Sequence, residues 1–183
     1  MGKNILIITG SPRKGGNSEV LADAFAKGAQ QAGHTVTKFE AAMKQIGGCK
    51  ACNTCWSKGT ACTFRDGFTE LEPLLEQADM VVFATPVYWF TMSMQIKAAI
   101  DKFYAYMRPA RQKELKVKEA VLLATAEDTA VHVFDGLVGT YKLIMEYLKW
   151  KDAGILTVPG VNAKGDILKT DAPARAEALG KSI

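Results

Sequence analysis

The segment Thr9-Gly10-Ser11-Pro12-Arg13-Lys14-Gly15-Gly16-Asn17-Ser18 collects the residue types that hold a phosphate monoester. Gly10, Gly15 and Gly16 permit backbone conformations closed to other residues and a close approach to an anion. Ser11, Asn17 and Ser18 bring side-chain donors, and Arg13 adds a planar guanidinium fork. A helix opening near Ser18 would present unpaired N–H groups and the positive end of its dipole, favouring the anion by a further ~0.3–1 kcal/mol. Two other phosphate motifs are excluded. Gly16-Asn17 stand where a nucleoside-triphosphatase loop counted from Gly10 and Gly15 requires Lys then Ser or Thr, which argues against ATP or GTP hydrolysis. Pro12 takes the second glycine position of G-x-G-x-x-G, so the dinucleotide fingerprint is absent. A glycine-rich turn before a capped helix is the structural alternative.

A second segment, Ala84-Thr85-Pro86-Val87-Tyr88-Trp89-Phe90-Thr91-Met92-Ser93, is rich in aromatics and precedes a helix-like stretch with Lys97 and Asp101. Pro86 fixes its own φ and keeps Thr85 extended. Tyr88, Trp89 and Phe90 offer flat apolar surface to a ring system, or alternatively to a core or subunit contact.

All four cysteines, Cys49, Cys52, Cys55 and Cys62, lie in one Gly-flanked stretch. The C-x-x-C-x-x-C spacing suits thiolates folding around an iron–sulfur cubane, although the fourth cysteine comes later than in the bacterial ferredoxin run and no proline follows it. A tetrahedral zinc site built from all four thiolates satisfies the same ligand count. Free or redox-active thiols are the third reading.

The elements that must position these segments follow an alternating pattern. Ile5-Leu6-Ile7-Ile8 reads as a strand buried on both faces, and apolar residues at helical spacing mark a helix from Ser18 to Gln31, stopped by Gly33. The sequence predicts further strands at Thr35–Phe39, Met80–Ala84, Ala120–Ala124 and Ile155–Val158. Helices are predicted at Phe68–Gln77, Ser93–Met107 and Phe134–Trp150, and from about Pro173 to Leu179. Strands and helices in this order imply one α/β domain over residues 1–183, a doubly wound five-stranded parallel sheet with helices on both faces. Such sheets bind ligands beyond the carboxyl ends of their strands, where the strand order reverses. That rule points to the loops after the first, third and fourth strands, the last being Thr125-Ala126-Glu127-Asp128.

The phosphate segment resembles the FMN phosphate loop of the NADPH-dependent FMN reductase and flavodoxin-like oxidoreductase family, which opens strand-G-S-P-R-x-x-G-N-S-helix. Thr85-Pro86-Val87-Tyr88-Trp89 and the following helix resemble that family's isoalloxazine loop. Pro159-Gly160 and Gly165-Asp166-Ile167 are also typical of it, so the resemblance covers nearly the whole chain. It implies a flavodoxin-like fold with FMN bound, Ser11, Arg13, Asn17 and Ser18 on the phosphate, and Pro86, Val87, Tyr88 and Trp89 at the ring. NAD(P)H is the implied electron donor, stacking beside Tyr88 and Trp89, and a quinone, free flavin, nitroaromatic or metal ion is the implied acceptor. The flavin then carries the chemistry, and no acid–base triad is needed. The cysteine spacing resembles the iron–sulfur flavoprotein branch, in which a [4Fe-4S] cluster feeds FMN. Relatives outside that branch keep such cysteines without a metal general to the family, and Asp66-Gly67 replaces their acidic pair here. The family also implies a homodimer or homotetramer, with Tyr104, Tyr106 and Met107 as candidate contacts.

Composition narrows the remaining classes. The net charge of +4 is scattered along the chain, which argues against a nucleic-acid stripe and against a strongly acidic electron-carrier flavodoxin. No apolar run approaches the ~20 residues of a membrane span, and the start lacks signal-peptide order. A cytoplasmic oxidoreductase is the expectation. An electron carrier relaying between cluster and FMN, or a zinc or thiol redox sensor, stand as alternatives.

Overall fold

The computed structural model describes residues 2–58, 61–107 and 114–183. Five strands, β1 (Asn4–Thr9), β2 (Thr35–Glu40), β3 (Met80–Pro86), β4 (Glu119–Thr125) and β5 (Lys151–Val158), form one sheet in the order β2-β1-β3-β4-β5. Every pairing is parallel, so the sheet is the doubly wound flavodoxin-like one expected. The chain leaves β1 toward β2 on one side and returns to place β3 on the other. The switch point therefore lies between β1 and β3, whose following loops are the phosphate and aromatic segments.

Alternation along the strands assigns the layers, because successive side chains point to opposite faces. Ile5 and Ile7 of β1 pack with Met80, Val82, Val121 and Leu123 under α1 (Asn17–Gln31) and α6 (Ala172–Lys181). Leu6 and Ile8 pack with Val81, Phe83 and Leu122 on the opposite face, under α3 (Phe68–Gln77), α4 (Met94–Asp101) and α5 (Asp135–Leu148). A short helix, α2 (Thr54–Lys58), interrupts the cysteine stretch. Glycines let α1 and α6 pack backbone to backbone. A Cβ on Gly28 would lie 2.0 Å from the Glu177 carbonyl oxygen, and one on Gly180 would lie 2.2 Å from that of Phe25.

Several predicted boundaries shift. The predicted helix Ser93–Met107 is α-helical only from Met94 to Asp101 and then tightens into a 3-10 turn, Lys102–Tyr106. The predicted helix Phe134–Trp150 ends at Leu148, where Lys149 turns left-handed at φ 57°. Strand β5 begins at Lys151 rather than Ile155, and its register with β4 shifts between Ala120 and Val121.

Candidate active site

The phosphate segment connects β1 to α1 as expected. Gly10 N–H donates to the Ala84 carbonyl at 2.9 Å, which ties the end of β1 to β3. Gly15 is left-handed at φ 66°, and Gly16 is extended at the start of α1, whose N-terminus has no side-chain cap. The α1 N-terminus thus faces the loop with its dipole uncompensated by a capping side chain. Glu19 takes the Gly15 N–H at 2.6 Å and pairs with Lys38 at 3.1 Å. Burial pushes the Glu19 carboxyl up, but those two partners outweigh it and hold the group below its ordinary range. This carboxylate is therefore neutralised from behind the loop.

The predicted phosphate residues divide by role. Ser11, Arg13, Asn17 and Ser18 all line one cleft, with an empty volume of about 610 Å³. Asn17 is committed by its side chain, donating to the Ala163 carbonyl at 3.0 Å and accepting from Ile167 N–H at 3.3 Å. What Asn17 can offer an anion is its backbone N–H at the helix start. Arg13 Nη1 donates to the Asn162 carbonyl at 3.0 Å, leaving the rest of its guanidinium to the cleft.

The aromatic segment meets the same cleft: Pro86, Val87 and Tyr88 line it beside the phosphate residues. Val87 N–H donates to the Thr125 carbonyl at 2.8 Å, and Ser93 N–H donates to Thr85 Oγ1 at 3.0 Å. Tyr88 and Thr91 exchange backbone hydrogen bonds of 2.9 and 3.1 Å around Trp89 (φ 48°) and Phe90 (φ 63°). Two central residues at positive φ are the pattern of a type I′ turn, ordinarily built from Asn and Gly. Here the turn holds up two aromatic rings, with Trp89 93% and Phe90 54% exposed. Trp89 sits next to this cleft rather than in it. With Phe90, Ala126, Asp128 and Val133 it lines an adjoining hollow of about 810 Å³, and Val87 and Glu127 border both spaces. The loop after β4 therefore joins the other two, as its position predicted. Lys97 and Asp101 pair with each other at 2.5 Å and are not among the residues lining the cleft.

Sequence reasoning missed Val161, Asn162 and Lys164, which close the cleft from the loop after β5. Their only signal was the pair of flanking turns, where Gly160 and Gly165 have φ of 73° and 91°.

All four cysteines line a separate pocket of about 400 Å³, bordered also by Lys102 and Tyr104. Trp56 stacks on Tyr104 with ring centroids 4.6 Å apart and donates from Nε1 to the Tyr104 carbonyl at 3.0 Å, pinning this loop to the 3-10 turn that follows α4. Hydrogen bonds from the Thr54 hydroxyl and N–H pull the exposed Cys52 thiol below its ordinary range. Burial, followed by the charges of Cys49 and Cys52, pushes the Cys55 thiol up. Among the described residues, no three His, Cys, Asp or Glu side chains converge closely enough to hold a metal ion. The thiols are gathered without forming a ligand set.

Five parallel strands in this order, with three loops meeting at the switch point, define the flavodoxin-like class. The model of the NADPH-dependent FMN reductase family matches residues 3–135, and the chain belongs to that family. An iron–sulfur flavoprotein of Archaeoglobus fulgidus is 40% identical over 99 residues, covering 54% of this chain and 44% of that relative. The matched stretch thus spans less than half of that protein's length. A Bacillus subtilis protein assigned as an NAD(P)H-dependent FMN-containing oxidoreductase is 26% identical over 169 residues, covering 90% of this chain and 89% of its own. Among solved structures, the NAD(P)H:quinone oxidoreductase from Methanothermobacter marburgensis superposes with a TM-score of 0.78 at 16% identity. That alignment covers 100% of this chain and 96% of the other, a likeness of fold.

Proposed function

We propose that this chain is an FMN-dependent oxidoreductase that passes electrons from NAD(P)H to a small acceptor such as a quinone, free flavin or nitroaromatic compound. The observation that carries this reading is the convergence of the loops after β1 and β3 on one cleft, to which the first brings Ser11, Arg13, Gly16 and Ser18 and the second Pro86, Val87 and the aromatic Tyr88. That pairing fits a phosphate monoester joined to a flat ring. FMN, when bound, supplies the hydride and electron chemistry. The chain's own residues bind and orient: Ser11, Arg13, Ser18 and the α1 N-terminus hold the anion, and Pro86, Val87 and Tyr88 present a stiff edge to the ring. Trp89 and Phe90 wall the neighbouring hollow, which is open to a nicotinamide or an acceptor. Protein loaded with FMN is expected to oxidise NADH or NADPH when a quinone is added. Bound FMN with no oxidation by any common acceptor leaves only a carrier role, and failure to bind FMN removes the reading.

A second reading is favoured by the single pocket that all four cysteines line, together with the iron–sulfur flavoprotein relatives. In it the thiolates hold a [4Fe-4S] cluster that exchanges electrons with FMN. The thiols as arranged do not form a ligand set, and no step is derived through a cluster. Iron and sulfide in anaerobically purified protein support this reading, and zinc alone supports a structural site instead. Full activity in iron-free protein ends it.

We also propose self-association through the face between α4 and α5. A groove of about 820 Å³ there is lined by Phe103, Tyr104, Leu143 and Tyr147, of which Leu143 and Tyr147 are largely exposed. Exposed apolar patches of this kind mark contact surfaces. Sedimentation equilibrium is expected to show a dimer or tetramer. Four unpaired thiols suit a reducing, cytoplasmic setting. Among the described residues, no helix is long and apolar enough to cross a membrane.

A further inference from the structure

The loop after β5 is built to deliver one lysine onto the phosphate loop. Three hydrogen bonds fasten it there: Arg13 Nη1 to the Asn162 carbonyl, Asn17 Nδ2 to the Ala163 carbonyl, and Ile167 N–H to Asn17 Oδ1. Asp166 shapes its crest by accepting from Asn162 N–H at 3.2 Å and Ala163 N–H at 2.7 Å. The other oxygen of Asp166 pairs with Lys169 at 2.8 Å, so this nearby carboxylate is engaged elsewhere. Lys164 stands on the crest between these groups and lines the same cleft as Ser11, Arg13 and Ser18.

Its position is fixed by what a side chain on Gly15 would touch. A Cβ at Gly15 would lie 3.0 Å from both Cε and Nζ of Lys164, so the lysine tip lies directly over the phosphate-loop backbone. Among the described residues the ammonium has no hydrogen bond and no ion pair, whereas Lys38, on the other side of the same loop, is paired twice. An unpaired cation held over an anion loop, facing an uncapped helix N-terminus, is an arrangement waiting for negative charge.

We infer that Lys164 is a phosphate-binding residue, and that it gives the cleft its preference for a phosphorylated flavin over the same ring and ribityl chain without phosphate. The inference rests on the flavin reading above and deepens it. Arg13 grips the anion from the first loop and Lys164 from the last, so the phosphate is clamped by segments distant in sequence and joined by backbone-directed hydrogen bonds. Lysine fits this role as a mobile point charge that can follow the anion.

The test is a fluorescence titration of the full chain, comparing FMN with riboflavin at one fixed ionic strength. Lys164 is exposed, so its replacement leaves the core intact. Lys164→Met is expected to weaken FMN binding roughly 10- to 100-fold, the range of a hydrogen bond to a charged group. Riboflavin binding is expected to be unchanged, and Lys164→Arg should restore most of the FMN affinity. An FMN-to-riboflavin preference in Lys164→Met equal to that of the unaltered chain overturns the assignment while leaving the flavin reading intact. An unaltered chain that binds neither molecule overturns both.

Discussion

Gly10 and Ser93 compete for one point between the first and third strands: a Cβ on Gly10 would lie 2.2 Å from Ser93 Oγ and 2.8 Å from Ile96. The Ser93 hydroxyl is buried there and has no hydrogen-bond partner among the described residues. The absence of a side chain at Gly10 thus keys the phosphate loop to the start of α4, and through it to the aromatic turn. Gly10→Ala should force the two loops apart, costing about 1–3 kcal/mol as overpacking does, and should weaken FMN binding as well. Removing the hydroxyl in Gly10→Ala/Ser93→Gly should recover part of both losses. Urea midpoints and FMN titrations of the two variants measure this, and a Gly10→Ala protein matching the unaltered chain would show the loops are not coupled.

How much of this is legible in the sequence depends on where each residue's partners lie. Strands β1, β3 and β4 are buried on both faces, so Ile5–Ile8, Met80–Ala84 and Ala120–Ala124 announce themselves as continuous apolar runs. The first half of β5 does not, because Lys151 and Asp152 lie exposed on an edge strand and carry no apolar signal. The stretch Lys102–Tyr106 reads as α-helix because Ile100, Phe103 and Met107 continue the apolar i, i+3, i+7 spacing, and a short apolar pattern does not separate three residues per turn from 3.6. The five-residue α2 buries no side chain, so it leaves no periodicity to read. In the cleft, glycine and proline punctuation exposes the loops after β1 and β3. Asn162 and Ala163 are attached through main-chain carbonyls, which every residue has, so nothing in their side chains reveals the attachment.

The cysteine loop is braced by an ion pair whose lysine is nearly inaccessible. Lys102 Nζ lies 2.5 Å from Asp66 Oδ2, with side-chain exposures of 3% and 19%, and Asp66 also accepts from the Gly47 and Phe68 N–H groups. Burial pushes the Asp66 carboxyl up, but Lys102 and the two N–H groups outweigh it and hold it below the usual carboxylate range. A carboxylate depressed in this way stabilises the fold above its unfolded pKa of about 3.9, and the contribution is lost as pH falls through the folded value. Asp66→Asn should cost about 3–5 kcal/mol at neutral pH, since it strands a buried ammonium. Asp66→Asn/Lys102→Met should recover much of that, and the cysteines should react faster with a thiol reagent in the single variant. Equal stability of the single and double variants would show that the pair does not brace the loop.

Tyr141 predicts the alkaline limb of the stability profile. Its side chain is fully buried under the sheet, where the one hydroxyl proton is shared between two acceptors, the Ala120 carbonyl at 2.8 Å and Asp152 Oδ1 at 3.1 Å. Burial first, then the charge and hydrogen bond of Asp152, push the phenol above its ordinary range. The unfolded chain therefore loses this proton before the folded one does. The stabilisation is complete below the unfolded value of about 10 and declines above it by about 1.4 kcal/mol per pH unit. Tyr141→Phe should cost about 1–2 kcal/mol near neutrality. The gap between the two proteins should shrink as pH rises past about 10, a comparison in which the lysines common to both cancel. A gap in urea-derived stability that stays constant across that range would contradict the assignment.

The Trp89–Phe90 turn sets stability against function. Each residue is left-handed without being glycine or asparagine, a state costing on the order of 1–3 kcal/mol per residue. Neither ring recovers that by burial, since Trp89 is almost fully exposed and Phe90 more than half so. The backbone is nonetheless held in place: a Cβ at Gly136 would lie 2.6 Å from the Phe90 carbonyl oxygen, so glycine at the start of α5 admits the turn. Strain retained against the fold's interest, beside the hollow that adjoins the cleft, argues that the rings are kept for what enters there. Trp89→Asn/Phe90→Gly supplies the residues a type I′ turn prefers. It should raise the unfolding free energy by about 1–3 kcal/mol while lowering kcat/KM for NAD(P)H oxidation and leaving FMN affinity nearly unchanged, because neither ring lines the cleft proposed to hold FMN. A variant that is less stable than the unaltered chain would mean the turn is not strained, and one with unchanged kcat/KM would mean the two rings do not serve the substrate.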